Sequence, residues 1–103
     1  DYDWTDDCFA VTGDGMVTFQ GTGLYFGEGT PVANAKVILA LKSGQGRDSM
    51  LTGLKVVDYD LSSKQPLTIS CAAAGAEYAE LYVWDGMSGI VPLTRKQTWS
   101  IAQ

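Results

Sequence analysis

The sequence predicts an all-β chain folded as an antiparallel β-sandwich, and three observations carry that expectation. Short apolar runs with period-two alternation recur from end to end. Glycine clusters separate them at roughly the 8–12-residue spacing of sandwiches and barrels. No segment sustains a helical period. The best helical candidate is Cys71–Leu81, with its Ala72-Ala73-Ala74 run, but Gly75 interrupts it and its flanks are rich in β-formers. Parallel pairing needs long crossovers for which there is no room, so the strands are expected to be antiparallel.

Taken in order, Cys8–Val11 and Met16–Phe19 flank the turn signal Gly13-Asp14-Gly15. Gly21-Thr22-Gly23 then sets off Leu24-Tyr25-Phe26, and Gly27-Glu28-Gly29-Thr30-Pro31 leads into Lys36–Leu41. In that strand Val37, Leu39 and Leu41 share one face, with Lys36 and Lys42 on the other. Ser43-Gly44-Gln45-Gly46 precedes Met50-Leu51, and Leu54–Leu61 follows with a less regular alternation. Leu67, Ile69 and Cys71 oppose Thr68 and Ser70 in the next strand. Four bulky apolar residues, Leu81-Tyr82-Val83-Trp84, then run into Asp85-Gly86, a chain-reversing pair. Thr98–Ile101 closes the set. The expected core is Val37, Leu39, Leu41, Val56, Leu67, Ile69, Leu81 and Val83. Seven or eight strands in a single domain over residues 1–103 fit an immunoglobulin-like or a jelly-roll sandwich.

Composition narrows the function. Twelve acidic against seven basic residues give a net charge of −5, which argues against nucleic acid as a partner. No apolar run approaches the ~20 residues that span a bilayer, so no membrane association is expected. The chain has no histidine, which removes Ser-His-Asp and Cys-His catalysis and the commonest transition-metal ligand. Paired carboxylates of the glycosidase type would need a cleft that a small sandwich rarely offers. An enzyme is therefore not expected, and neither is a cofactor. Oxygen-rich clusters at Asp1, Asp3, Asp6 and Asp7, and at Asp58 and Asp60, admit calcium as a secondary reading beside solvated surface charge. The wide separation of Cys8 and Cys71 excludes CxxC chemistry and leaves either a disulfide or two buried thiols.

The ending "aromatic-x-Trp-Asp-x-Met … Pro-Leu", carried here by Tyr82, Trp84, Asp85, Met87, Pro92 and Leu93, resembles the last third of small β-sandwich modules. Such modules are strung along bacterial extracellular, polysaccharide-degrading and cellulosomal proteins. Ala35–Lys42 is similar to the "kvvlAlY" strand of the same modules, and together the two motifs cover roughly half the chain. The resemblance implies a non-catalytic carbohydrate-binding module, monomeric, excised from a secreted protein and linked there to a catalytic unit. It would target plant cell-wall polysaccharide, pectin or a β-glucan. In an exported module the Cys8–Cys71 disulfide is favoured, and closing so long a loop would stabilise the fold by about 4 kcal/mol. The alternative is a fibronectin- or immunoglobulin-like spacer or protein-interaction domain of an extracellular assembly.

The candidate ligand residues follow from sugar chemistry, since pyranose rings have apolar faces that stack on flat aromatics. Tyr82 and Trp84, two residues apart, share one side of their strand and form a possible stacking platform, although Trp84 is also a natural core residue. Trp4, set among aspartates, is a candidate for exposure. Lys36, Lys42 and Lys55 are expected on outward parities, where a lysine triad would pair with galacturonate carboxylates. Arg95 and Lys96 precede the last strand.

Overall fold

The computed structural model describes residues 2–11, 15–25, 32–44, 49–63, 65–73, 75–85 and 97–101. Among them run seven strands and no helix: β1 (Tyr2–Val11), β2 (Met16–Tyr25), β3 (Ala35–Ser43), β4 (Met50–Tyr59), β5 (Pro66–Ala72), β6 (Tyr78–Trp84) and β7 (Gln97–Ser100). The expected turns at Gly13-Asp14, Gly27–Pro31 and Gln45-Gly46 lie outside the described residues. So do Gly86, Met87, Pro92 and Leu93 of the motif, together with Asp1, Phe26, Arg95 and Lys96.

Two antiparallel sheets pack face to face. One is ordered β1-β2-β5, the other β4-β3-β6-β7. The chain builds a hairpin in each sheet, β1-β2 and then β3-β4, before β5 returns to the first sheet and β6 to the second. That three-on-four order matches the A-B-E and C′-C-F-G strands of immunoglobulin-like sandwiches.

Alternation places the core as the sequence suggests, with one exception. Val37, Leu39, Leu41, Ile69, Leu81 and Val83 are essentially inaccessible and Leu67 is buried beside them. Val56 is not. It pairs with Ile38 on the outer side of the second sheet and is 38% exposed. The irregular β4 sequence resolves the other way, because Val57 pairs with Val37 and packs against the core, and Tyr59 is buried within it.

Strand lengths also differ from expectation. β1 begins well before Cys8, and β2 runs unbroken through Gly21 and Gly23. Neither glycine makes a turn, and Gly21 makes room. A Cβ at Gly21 would lie 3.1 Å from the Phe19 ring and 3.3 Å from the Trp4 ring, both buried. Trp4 meets Phe19 edge-on with centroids 5.0 Å apart and lies 5.8 Å from the Tyr59 ring, so a β1 side chain reaches β4 across the sandwich. The Tyr59 hydroxyl accepts the Gly23 amide at 3.2 Å and donates to the Gln65 carbonyl at 2.7 Å. Farther along β1, Phe9 stacks on Trp99 of β7 at 4.7 Å. β1 therefore runs obliquely over the second sheet.

Cys8 and Cys71 are both free, which overturns the expected disulfide. They lie on β1 and β5, on opposite sides of β2, so two strand spacings of roughly 4.8 Å separate them before any offset along the strands. That already exceeds the ~7 Å limit between bridgeable Cα atoms. Their faces differ as well. Cys8 pairs with exposed Gln20, whereas Cys71 pairs with buried Val17 and points its sulfur towards Gly53 of the facing sheet. Without reductant, the folded chain is expected to present Cys8 rapidly to a thiol reagent and Cys71 slowly, with both thiols counted after unfolding. A count below two in denaturant would contradict this placement.

Candidate functional site

The outer face of the second sheet is built by the parity that the core leaves over. With Val37, Leu39 and Leu41 turned inward, β3 sends Lys36, Ile38, Ala40 and Lys42 outward. The ladder sets Trp84, Tyr82, Glu80 and Tyr78 of β6 beside them in that order. On the other flank β4 contributes Asp58 opposite Lys36, Val56 opposite Ile38 and Leu54 opposite Ala40. β7 adds Thr98 beside Glu80 and Ser100 beside Tyr78.

The middle of this face is apolar. Ile38 and Ala40 point away from the core yet are only 5% and 4% exposed, because cross-strand side chains flank them on both sides, Val56 and Tyr82 for the first and Leu54 and Glu80 for the second. Leu54 remains 53% exposed along the sheet edge. Tyr82 and Trp84 stand at 5.8 Å between centroids with their rings inclined by 56°, both half-buried. Trp84, a natural core residue by its sequence, is thus an outer-face residue packed against Tyr82.

Among the described residues two ion pairs lie towards the ends of the face. Lys36 pairs with Asp58 at one, and Lys42 lies 2.6 Å from the Glu80 carboxylate at the other. Glu80 is buried although it faces outward, and the Tyr82 hydroxyl donates to the same carboxylate oxygen at 2.8 Å. The hydrogen bond to Glu80 is the largest influence on the Lys42 ammonium and holds its pKa above the usual 10.5, against a smaller opposing effect of burial. Beyond this network lies an open hollow of about 450 Å³ lined by Gly44, Glu77, Tyr78, Thr98 and Ser100. There the Glu77 carboxylate accepts the Gly44 amide at 2.9 Å.

Of the residues proposed from sequence, the structure brings Lys36, Lys42, Tyr82 and Trp84 onto this one face. Trp4 does not join them. It is 6% exposed in the core, where Phe19 and Tyr59 cover its ring, and no ligand can stack on it. Lys55 is exposed but sits opposite Leu39, on the parity that faces the other sheet, so the expected lysine triad does not assemble. Of the acidic residues proposed for calcium, Asp1 and the Asp6 side chain lie outside the described structure, and three others are engaged elsewhere. Asp58 pairs with Lys36, Asp3 accepts its neighbour Trp4's amide, and Asp60 closes a turn by accepting the Ser62 amide and hydroxyl, which lower its pKa. No group of three metal-ligating side chains occurs among the described residues.

Tyr78, Glu80, Ile38 and Leu54 are the face residues that sequence reasoning overlooked. The alternation Tyr78-x-Glu80-x-Tyr82-x-Trp84 was the available signal for the first two. No protein-family model matches the chain, and neither does any curated protein.

The raised Lys42 pKa makes the ion pair a pH-dependent contribution. A cation favoured by folding stabilises the fold fully below its unfolded pKa, and that contribution is lost as pH rises through the folded value. Lys42→Met is expected to lower stability at neutral pH by about 1–2 kcal/mol in urea unfolding. It should also flatten the loss of stability of the parent chain above pH 10.5. Unchanged stability together with an unchanged alkaline slope would refute the assignment.

Proposed function

We propose that this chain is a non-catalytic carbohydrate-binding module that holds a covalently linked enzyme against plant cell-wall polysaccharide outside the cell. One observation carries the reading: Tyr82 and Trp84 rise side by side from an outer sheet face, with Ile38 and Ala40 as an apolar floor. Such a surface offers a sugar ring an aromatic wall for its apolar face. The Tyr and Ser/Thr hydroxyls towards Tyr78, Thr98 and Ser100 supply polar partners for sugar hydroxyls. A rigid ladder presents these groups, so little ordering cost accompanies binding. Tethering to the polysaccharide would raise the local substrate concentration of the linked enzyme. The resemblance of the Tyr82–Met87 segment to modules of bacterial polysaccharide-degrading proteins points the same way.

A second reading rests on a separate feature. Among the described strands β4 is a sheet edge that exposes Met50, Leu51, Leu54 and Val56, and exposed apolar edges suit protein contacts. On that reading the chain is a fibronectin-like spacer or interaction domain of an extracellular assembly, with no affinity for glycans.

Affinity electrophoresis through gels containing cellulose derivatives, xylan, mannan, xyloglucan or pectin separates the two. The first reading expects retardation by at least one glycan and a shift in tryptophan fluorescence on binding. Trp84→Ala should weaken binding by at least about tenfold, equivalent to roughly 1.4 kcal/mol, while unfolding remains cooperative. No retardation in any gel would refute the binding-module reading and leave the spacer.

A further inference from the structure

From the charges on the outer face we infer that the ligand is an uncharged glycan and that polyuronates are excluded. This inference rests on the carbohydrate-binding reading and narrows its substrate class. Lys36, Lys42 and Lys55 were the triad that suggested an acidic polysaccharide, and the structure accounts for each of these three, while Arg95 and Lys96 lie outside the described residues. Lys36 is paired with Asp58, its direct cross-strand neighbour. Lys42 is held at 2.6 Å by Glu80, whose position is fixed in turn by the Tyr82 hydroxyl. Lys55 stands on the other parity of β4 and does not contribute to the face.

The remaining charge on the described part of the face is negative. Glu77 lies exposed at the rim of the hollow beside Tyr78, with its carboxylate directed to the Gly44 amide and no cation paired to it among the ion pairs of the described residues. The described face therefore carries two cations against three carboxylates, in a protein whose net charge is −5. A galacturonate carboxylate laid along this row would meet, among the described residues, either a lysine already engaged or the Glu77 carboxylate. It would lose hydration without gaining a counter-charge. A neutral chain loses nothing of the kind, and stacks on Trp84 and Tyr82 while its hydroxyls exchange water for Tyr78, Thr98 and Ser100. Aromatic stacking also predicts weak salt dependence, in contrast with charge pairing.

The test uses the intact chain and isothermal titration against soluble neutral glycans (xyloglucan, xylan, mannan, mixed-linkage glucan) and against polygalacturonate, at about 0.02 M and 0.5 M NaCl. The inference expects affinity for at least one neutral glycan, changed less than about twofold by salt, and none for polygalacturonate. Asp58→Asn releases Lys36 and should create weak polygalacturonate binding that high salt abolishes; the ion pair is exposed, so the variant should fold normally. Polygalacturonate binding by the parent chain, weakened about tenfold or more by salt, would overturn the inference while upholding a glycan-binding module. So would an Asp58→Asn variant with no such gain, since pairing would then not be what silences Lys36. Absence of binding to every glycan would remove the binding-module reading itself.

Discussion

The Tyr59 side chain joins the two layers at a point where neither could close alone. Its ring lies against Trp4, and its hydroxyl both accepts the Gly23 amide and donates to the Gln65 carbonyl. Trp4 also meets Phe19, so the first and second sheets share one aromatic cluster at this end of the sandwich. The cluster needs bare backbone on β2. A side chain at Gly21 would press to 3.1 Å on the Phe19 ring and 3.3 Å on the Trp4 ring, and the Gly23 N–H meets a phenolic oxygen. Two large aromatics and a tyrosine hydroxyl are worth several kcal/mol together, a large share of the margin by which a chain this size is stable.

Everything on the outer face depends on that closure. Once Tyr59 and Val57 are drawn towards the interior, period-two geometry turns Leu54, Val56 and Asp58 outward. The same constraint acts on β3 and β6, where a continuous buried row of Val37, Leu39, Leu41, Ala79, Leu81 and Val83 leaves its alternate residues for solvent. The result is an apolar floor with aromatic walls, and with an ion pair at either end. A one-residue slip of β4 would bury Asp58 and separate it from Lys36.

The sandwich and most of its core were legible because alternation is a local signal. Seven of the eight proposed core residues are buried. Val56 failed because β4 reads Leu54-Lys55-Val56-Val57-Asp58-Tyr59, apolar on both parities, so only the distant partner Tyr59–Trp4 decides which side is in. The same ambiguity misplaced Lys55. Gly21 and Gly23 read as a turn because the use of Gly21 as packing clearance depends on the Trp4 ring that arrives from β1. Trp4 was mistaken for a surface residue because its aspartate neighbours dominate the local composition, whereas burial follows strand parity. Of the ligand face, Tyr82, Trp84, Lys36 and Lys42 were visible as alternating positions. Their charge partners Asp58 and Glu80 were not, since cross-strand register is a long-range property. The cysteines illustrate the same limit: counting them permits a bridge that the order β1-β2-β5 forbids.

The Tyr59 cluster makes the two sheets one cooperative body. Native-state hydrogen exchange addresses it directly through the Gly23 amide, whose bond crosses from one sheet to the other. That amide is predicted to exchange only through the global opening that also releases the Leu39 amide at the centre of β3. Exchange of Gly23 at the rate of turn residues such as Ser62, with Leu39 still protected, would show that the sheets separate without unfolding and would contradict the account.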